Sequence, residues 1–106
     1  MEQIIIKVAF GLIGAIVAGI IVAKIISYRD IVNWFKKRKS VLDSDNHNLA
    51  VTIRKQLENG NYQIVGGVFD CQTETFKDQF VKTGKQLDYE LASLHSNREV
   101  VYHTIS

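Results

Sequence analysis

Three histidines and one cysteine are the side chains of this 106-residue chain best suited to metal binding or nucleophilic chemistry. His47, His95, His103 and Cys71 fall into none of the spacings C-x-x-C, H-x-x-x-H or H-E-x-x-H that hold several donors around one ion. A closed zinc site needs four such donors and an open one three, so neither a metal nor a cofactor is expected. His95, near the end of an expected helix, suits the negative end of the helix dipole. His103 lies in an expected strand facing solvent, and His47 in a polar loop. A thiol nucleophile needs an adjacent base, and no spacing supplies one for Cys71. As the single cysteine it cannot form an internal disulfide, which fits a reducing compartment. The carboxylates Asp70, Asp78, Asp88 and Glu90 are spread over different elements and make no acid–base pair. Gly66-Gly67 lacks the flanking residues of a phosphate loop and reads instead as a bulge or a close backbone approach. No catalytic residues can be assigned, and the chain reads as not an enzyme.

With chemistry absent, the elements carry the reading, and one dominates. Residues 4–26 read IIIKVAFGLIGAIVAGIIVAKII, apolar except for Lys7 and Lys24. As one helix they span about 34 Å, enough for a hydrocarbon core of about 30 Å. The run is too long for a cleaved leader and lacks a clear basic cluster before it. The expectation is a single transmembrane helix. Basic residues follow it and hardly precede it, so the N-terminus is expected outside and the C-terminal domain in the cytoplasm or an equivalent compartment.

Within that span Gly11, Ala15, Gly19 and Ala23 recur every fourth residue, and Gly14 and Ala18 make a second row. On a helix all six share one half, opposite Phe10 and most isoleucines, which suits close helix–helix packing. The partner is then a second copy or another membrane subunit. Residues 27–39, SYRDIVNWFKKRK, form a basic collar. Arg29, Lys36, Lys37, Arg38 and Lys39 are expected at the lipid headgroups, with Trp34 and Phe35 at the membrane–water boundary. KKRK beside such a span is sufficiently explained as a topology signal, so no nucleic acid is implied.

The remainder divides into a polar linker, residues 40–48, and a small α+β domain, residues 49–106. Alternation over 49–57 predicts a half-buried strand. Asn59-Gly60 predicts a tight hairpin with both turn residues at φ > 0. Residues 62–70 make the second strand and residues 74–83 a third, a reading preferred there over a helix. Residues 86–97 read as a helix, since Leu87, Leu91 and Leu94 recur at i, i+4 and i+7. The β-branched and aromatic run 99–105 reads as a last strand. The expected fold is one membrane helix, residues 1–39 with its collar, plus an antiparallel β-β-β-α-β sheet carrying one packed helix.

The function expected from these elements is that of a membrane-anchored accessory, adaptor or assembly subunit, binding the bilayer, a protein partner and no identified small molecule. The alternative is a membrane-active oligomer of the pore-forming or holin-like kind. A small enzyme or redox protein is the third reading, resting only on Cys71 and the histidines.

Overall fold

The computed structural model describes residues 1–13 and 20–106. In chain order the elements are α1 (Glu2–Ile13), β1 (Ile20–Ile26), α2 (Tyr28–Lys36), α3 (Lys39–Asp43), β2 (Asn48–Gln56), β3 (Tyr62–Asp70), β4 (Thr75–Leu87), α4 (Tyr89–Leu94) and β5 (Val100–His103). β2 and β3 pair antiparallel from Asn48↔Asp70 to Gln56↔Tyr62. The hairpin loop between them is longer than a two-residue turn. The Gly60 N–H donates to the Leu57 carbonyl at 2.9 Å, and Gly60 alone in the loop has positive φ, 86°. The geometry is that of a four-residue turn ending in a left-handed glycine, so Asn59 does not need φ > 0.

The strands form one five-stranded mixed sheet in the order β1-β4-β3-β2-β5. β1 runs parallel to β4, and the other pairs are antiparallel. On one face Ile5 and Ala9 of α1 pack against Val51, Ile53, Val65, Phe69, Val81 and Val100. On the other, Ile31 and Phe35 of α2 and Leu91 of α4 pack against Ala50, Ile64 and Phe80. With both faces covered, β3 is buried almost end to end. The strand read as half-buried, 49–57, is thus buried on both sides over its first half: Ala50 and Thr52, expected outward, are 5% and 0% exposed. Gly66 and Gly67 sit where that packing is tightest. A Cβ on Gly66 would collide with the Phe80 ring, and one on Gly67 with the Asp78 carbonyl.

The membrane helix expected over residues 4–26 is overturned. That run is divided between α1 and β1. Among the described residues no helix is long and apolar enough to cross a bilayer. The radius of gyration, 12.9 Å, matches the ~13 Å of a globular chain of this length and leaves no room for a protruding rod. Two physical features account for the difference. Five of the seven residues of β1 are β-branched, which favours a strand. A sheet with two faces to cover also takes in more apolar chain than a small one-faced domain. The single-pass topology, with its N-terminus outside and C-terminal domain inside, falls with the helix, as do the membrane and transmembrane descriptions. The sheet is corrected too. It is mixed, not antiparallel, because β1 adds a parallel fifth strand, and it carries helices on both faces.

Candidate functional site

β1 ends the sheet, and among the described residues nothing pairs with its outer edge. Edge strands usually protect themselves by shortness, proline, bulges or charge. β5, the opposite edge, has four residues. β1 has seven, no proline, a single charge at Lys24, and a register to β4 from Ile20↔Val81 to Ile26↔Leu87. Three of its large apolar side chains are open to solvent, Val22 at 81% exposed, Ile21 at 49% and Ile25 at 48%, while Ile26 at its end is buried in the core under α2 and α4. The strand is firmly held from behind. Past its end the Asp88 N–H donates to the Ile26 carbonyl at 3.0 Å. The Asp88 carboxylate accepts from Tyr28 N–H at 2.8 Å and from Leu91 N–H at 3.0 Å, tying the starts of α2 and α4 together.

Side chains alternate across a strand, and each face of β1 opens into its own groove. On the α2 side a space of about 380 Å³ is lined by Ile21, Asn33, Trp34, Lys37 and Lys82, with Asp30 and Arg38 completing it. On the other side Val22, Lys24, Asn61, Thr83 and Lys85 border a space of about 320 Å³. The register brackets Lys24 directly beside Lys85, since Ala23 faces Gly84 and Ile25 faces Gln86. Both lysines are exposed.

The collar residues are placed by these contacts. Phe35 is fully buried, and Trp34 packs edge-on against Phe35 and Phe80 at 5.2 and 4.7 Å between ring centroids. The apolar face Ile31, Trp34, Phe35 therefore covers the sheet, and localisation at a membrane–water boundary is corrected for these aromatics. Arg38 stacks over Trp34 at 3.6 Å and pairs with Asp78. Lys39 pairs with Asp43, while Arg29, Lys36 and Lys37 are exposed. Of the small-residue row, Gly11 is on α1 and Ala23 on β1. Gly14, Ala15, Ala18 and Gly19 lie outside the described residues.

Two of the three histidines meet where sequence spacing gave no hint. His95 Nε2 and His103 Nε2 lie 2.9 and 2.7 Å from the hydroxyl of Thr52. His95 Nδ1 is 2.9 Å from the Arg98 carbonyl, which can only accept. That assigns the protons of the neutral rings. His95 donates from Nδ1 to Arg98 and accepts the Thr52 O–H at Nε2, and His103 donates from Nε2 to the Thr52 oxygen. Burial lowers the pKa of both rings, that of His103 to about 4. Thr52 and His95 are fully buried. A hydroxyl whose proton and lone pair are both engaged inside the core is a pin between β2, β5 and the end of α4, not an exposed nucleophile. His103 also borders a cavity of about 220 Å³ with Asn48, Leu42 and Tyr102. Cys71 is half-buried and donates its S–H to the His47 carbonyl at 3.0 Å, an acceptor and not a base. His47 Nδ1 bonds the Asp45 carboxylate at 2.7 Å. Among the described residues no three histidine, cysteine or acidic side chains converge on a metal position.

No family model matches the chain. Comparison with curated proteins and with solved structures gives no match either.

Proposed function

We propose that this chain is an interaction module, an accessory or adaptor subunit that takes an extended segment of a protein partner as a sixth strand along β1. The observation that supports it is the outer edge of β1: a seven-residue edge without proline or bulge, displaying Ile21, Val22 and Ile25. Strand addition draws affinity from main-chain hydrogen bonds along the edge and specificity from side chains that drop alternately to either face. The two grooves flanking β1 lie where those side chains would go.

The test is photo-crosslinking in the native cell. A photoreactive residue at position 22 is expected to yield a discrete adduct. The same residue at position 89, where Tyr89 is 86% exposed on α4, is expected to yield none. Adding Ile25→Lys, which changes an exposed residue, should abolish the adduct and leave the circular dichroism spectrum unchanged. Equal labelling at both positions, or an adduct indifferent to Ile25→Lys, overturns the proposal.

A further inference from the structure

We infer that the segment accepted by β1 is acidic: an extended peptide with β-branched residues facing Ile21 and Ile25 and a carboxylate opposite Lys24. This rests on the strand-addition reading and adds the chemistry of the partner.

The argument is one of charge. Both grooves are rimmed by cations, Lys37 and Lys82 on the α2 side and Lys24 and Lys85 on the other. None of these four has an ion-pair partner among the described residues. Arg38, also on the rim, is already engaged by Asp78. Asp30 is the one carboxylate lining either groove. Lys24 and Lys85 stand side by side across the parallel pair, an arrangement of like charges that works against the sheet. A carboxylate on the next strand, level with Lys24, would relieve it.

The same feature argues against a second copy as the occupant. Two β1 strands paired antiparallel about Ala23 would match Ile21 with Ile25. They would also set Lys24 of each copy diagonally across from its twin, with a Lys85 behind each. A lysine on an edge strand is a known deterrent to self-pairing. Like charges repel and unlike charges attract across such a contact, so the lysines select a partner of opposite sign.

The experiment uses the whole chain and three short labelled peptides of alternating valine with glutamate, glutamine or lysine. Binding is read by fluorescence anisotropy, and hydrogen exchange is followed at residues 20–26. The glutamate peptide is expected to bind roughly tenfold tighter than the glutamine peptide, to slow exchange across β1, and to weaken as salt is raised. Lys24→Glu, an exposed change, should reverse the preference towards the lysine peptide. If the glutamine peptide binds as tightly and protects the same amides, the acidic partner is refuted and strand addition stands. Protection that grows with protein concentration alone makes a second copy the occupant and overturns the acidic partner. If no peptide slows exchange at 20–26, both readings fail.

Discussion

Mild acid should unfold this protein through the Thr52 pin. His103 is neutral in the folded state because burial and the nearby His95 hold its pKa down to about 4, against 6.5 in an open chain. Between those values the unfolded chain binds a proton that the folded chain refuses. Stability is therefore full above pH 6.5 and is lost as pH falls towards 4. The difference corresponds to roughly 3 kcal/mol by pH 4, a large share of what a domain of this size has. His95, lowered in the same direction by burial, adds to the loss. Asp45 and Asp70 do not obscure the window. N–H donors from His47 and Gln72 hold their pKa values below 3.8, so their contributions vanish only at lower pH. The assay is urea denaturation between about pH 7 and about pH 4 for the parent and for His103→Gln, whose amide keeps a donor for Thr52. The variant should begin about 1 kcal/mol less stable, from imperfect replacement of the bond. It should then lose much less of its stability across the window. If it falls as steeply as the parent, the buried neutral imidazole is not the source and the reasoning is refuted.

Gly67→Ala should destabilise by roughly 1–3 kcal/mol, because the new methyl meets the fixed Asp78 carbonyl; an unchanged thermal midpoint would show that β3 and β4 separate freely. Asp88→Ala removes an acceptor shared by two helix starts and should cost roughly 2 kcal/mol in denaturant titration, against near neutrality if the caps are idle. Glu74 holds φ at 58°, so Glu74→Gly should raise the melting temperature slightly, by about 0.5–1 kcal/mol in stability terms; a loss would mean that its side chain matters.

The central hairpin and the last strand were legible because their signals are local. Alternation over 49–57 and the β-branched run before Ile105 each determine a short stretch without knowledge of the rest, and Asn59-Gly60 marks the reversal between strands though not its turn type. The helix before β5 was legible in kind but not in extent, since β4 runs on to Leu87 and leaves only Tyr89–Leu94 helical. Residues 4–26 misled because hydropathy counts apolar residues without saying what will cover them. A run that fits a bilayer also supplies a helix for one sheet face and an edge strand beside it. The discriminating signal was present in Ile20, Ile21, Val22, Ile25 and Ile26, a β-branched cluster of strand length. Trp34 and Phe35 are apolar enough to suggest a membrane surface, but together with Ile31 their partner is the sheet. The Thr52 pin left no trace in the sequence, because seven residues separate His95 from His103 and only the return from α4 to β5 brings their rings to one hydroxyl. The β1 edge was hidden for a related reason, since an edge exists only once a strand order does.

The parallel pairing of β1 with β4 also imposes a schedule. Strand 20–26 finds its hydrogen-bonding partner in strand 81–87, far downstream. At about 5–20 residues per second, synthesis of the intervening chain takes several seconds. For that interval the most apolar segment of the chain has been made and its place in the sheet does not yet exist. β2, β3 and the first half of β4 can pair meanwhile, because their contacts are near in sequence. β1 is thus among the last strands to dock, and until it does the nascent chain presents both an unpaired β4 edge and a free strand that fits it. A second nascent chain on the same message could supply that strand instead, so crowded synthesis would favour exchanged dimers over the monomeric fold.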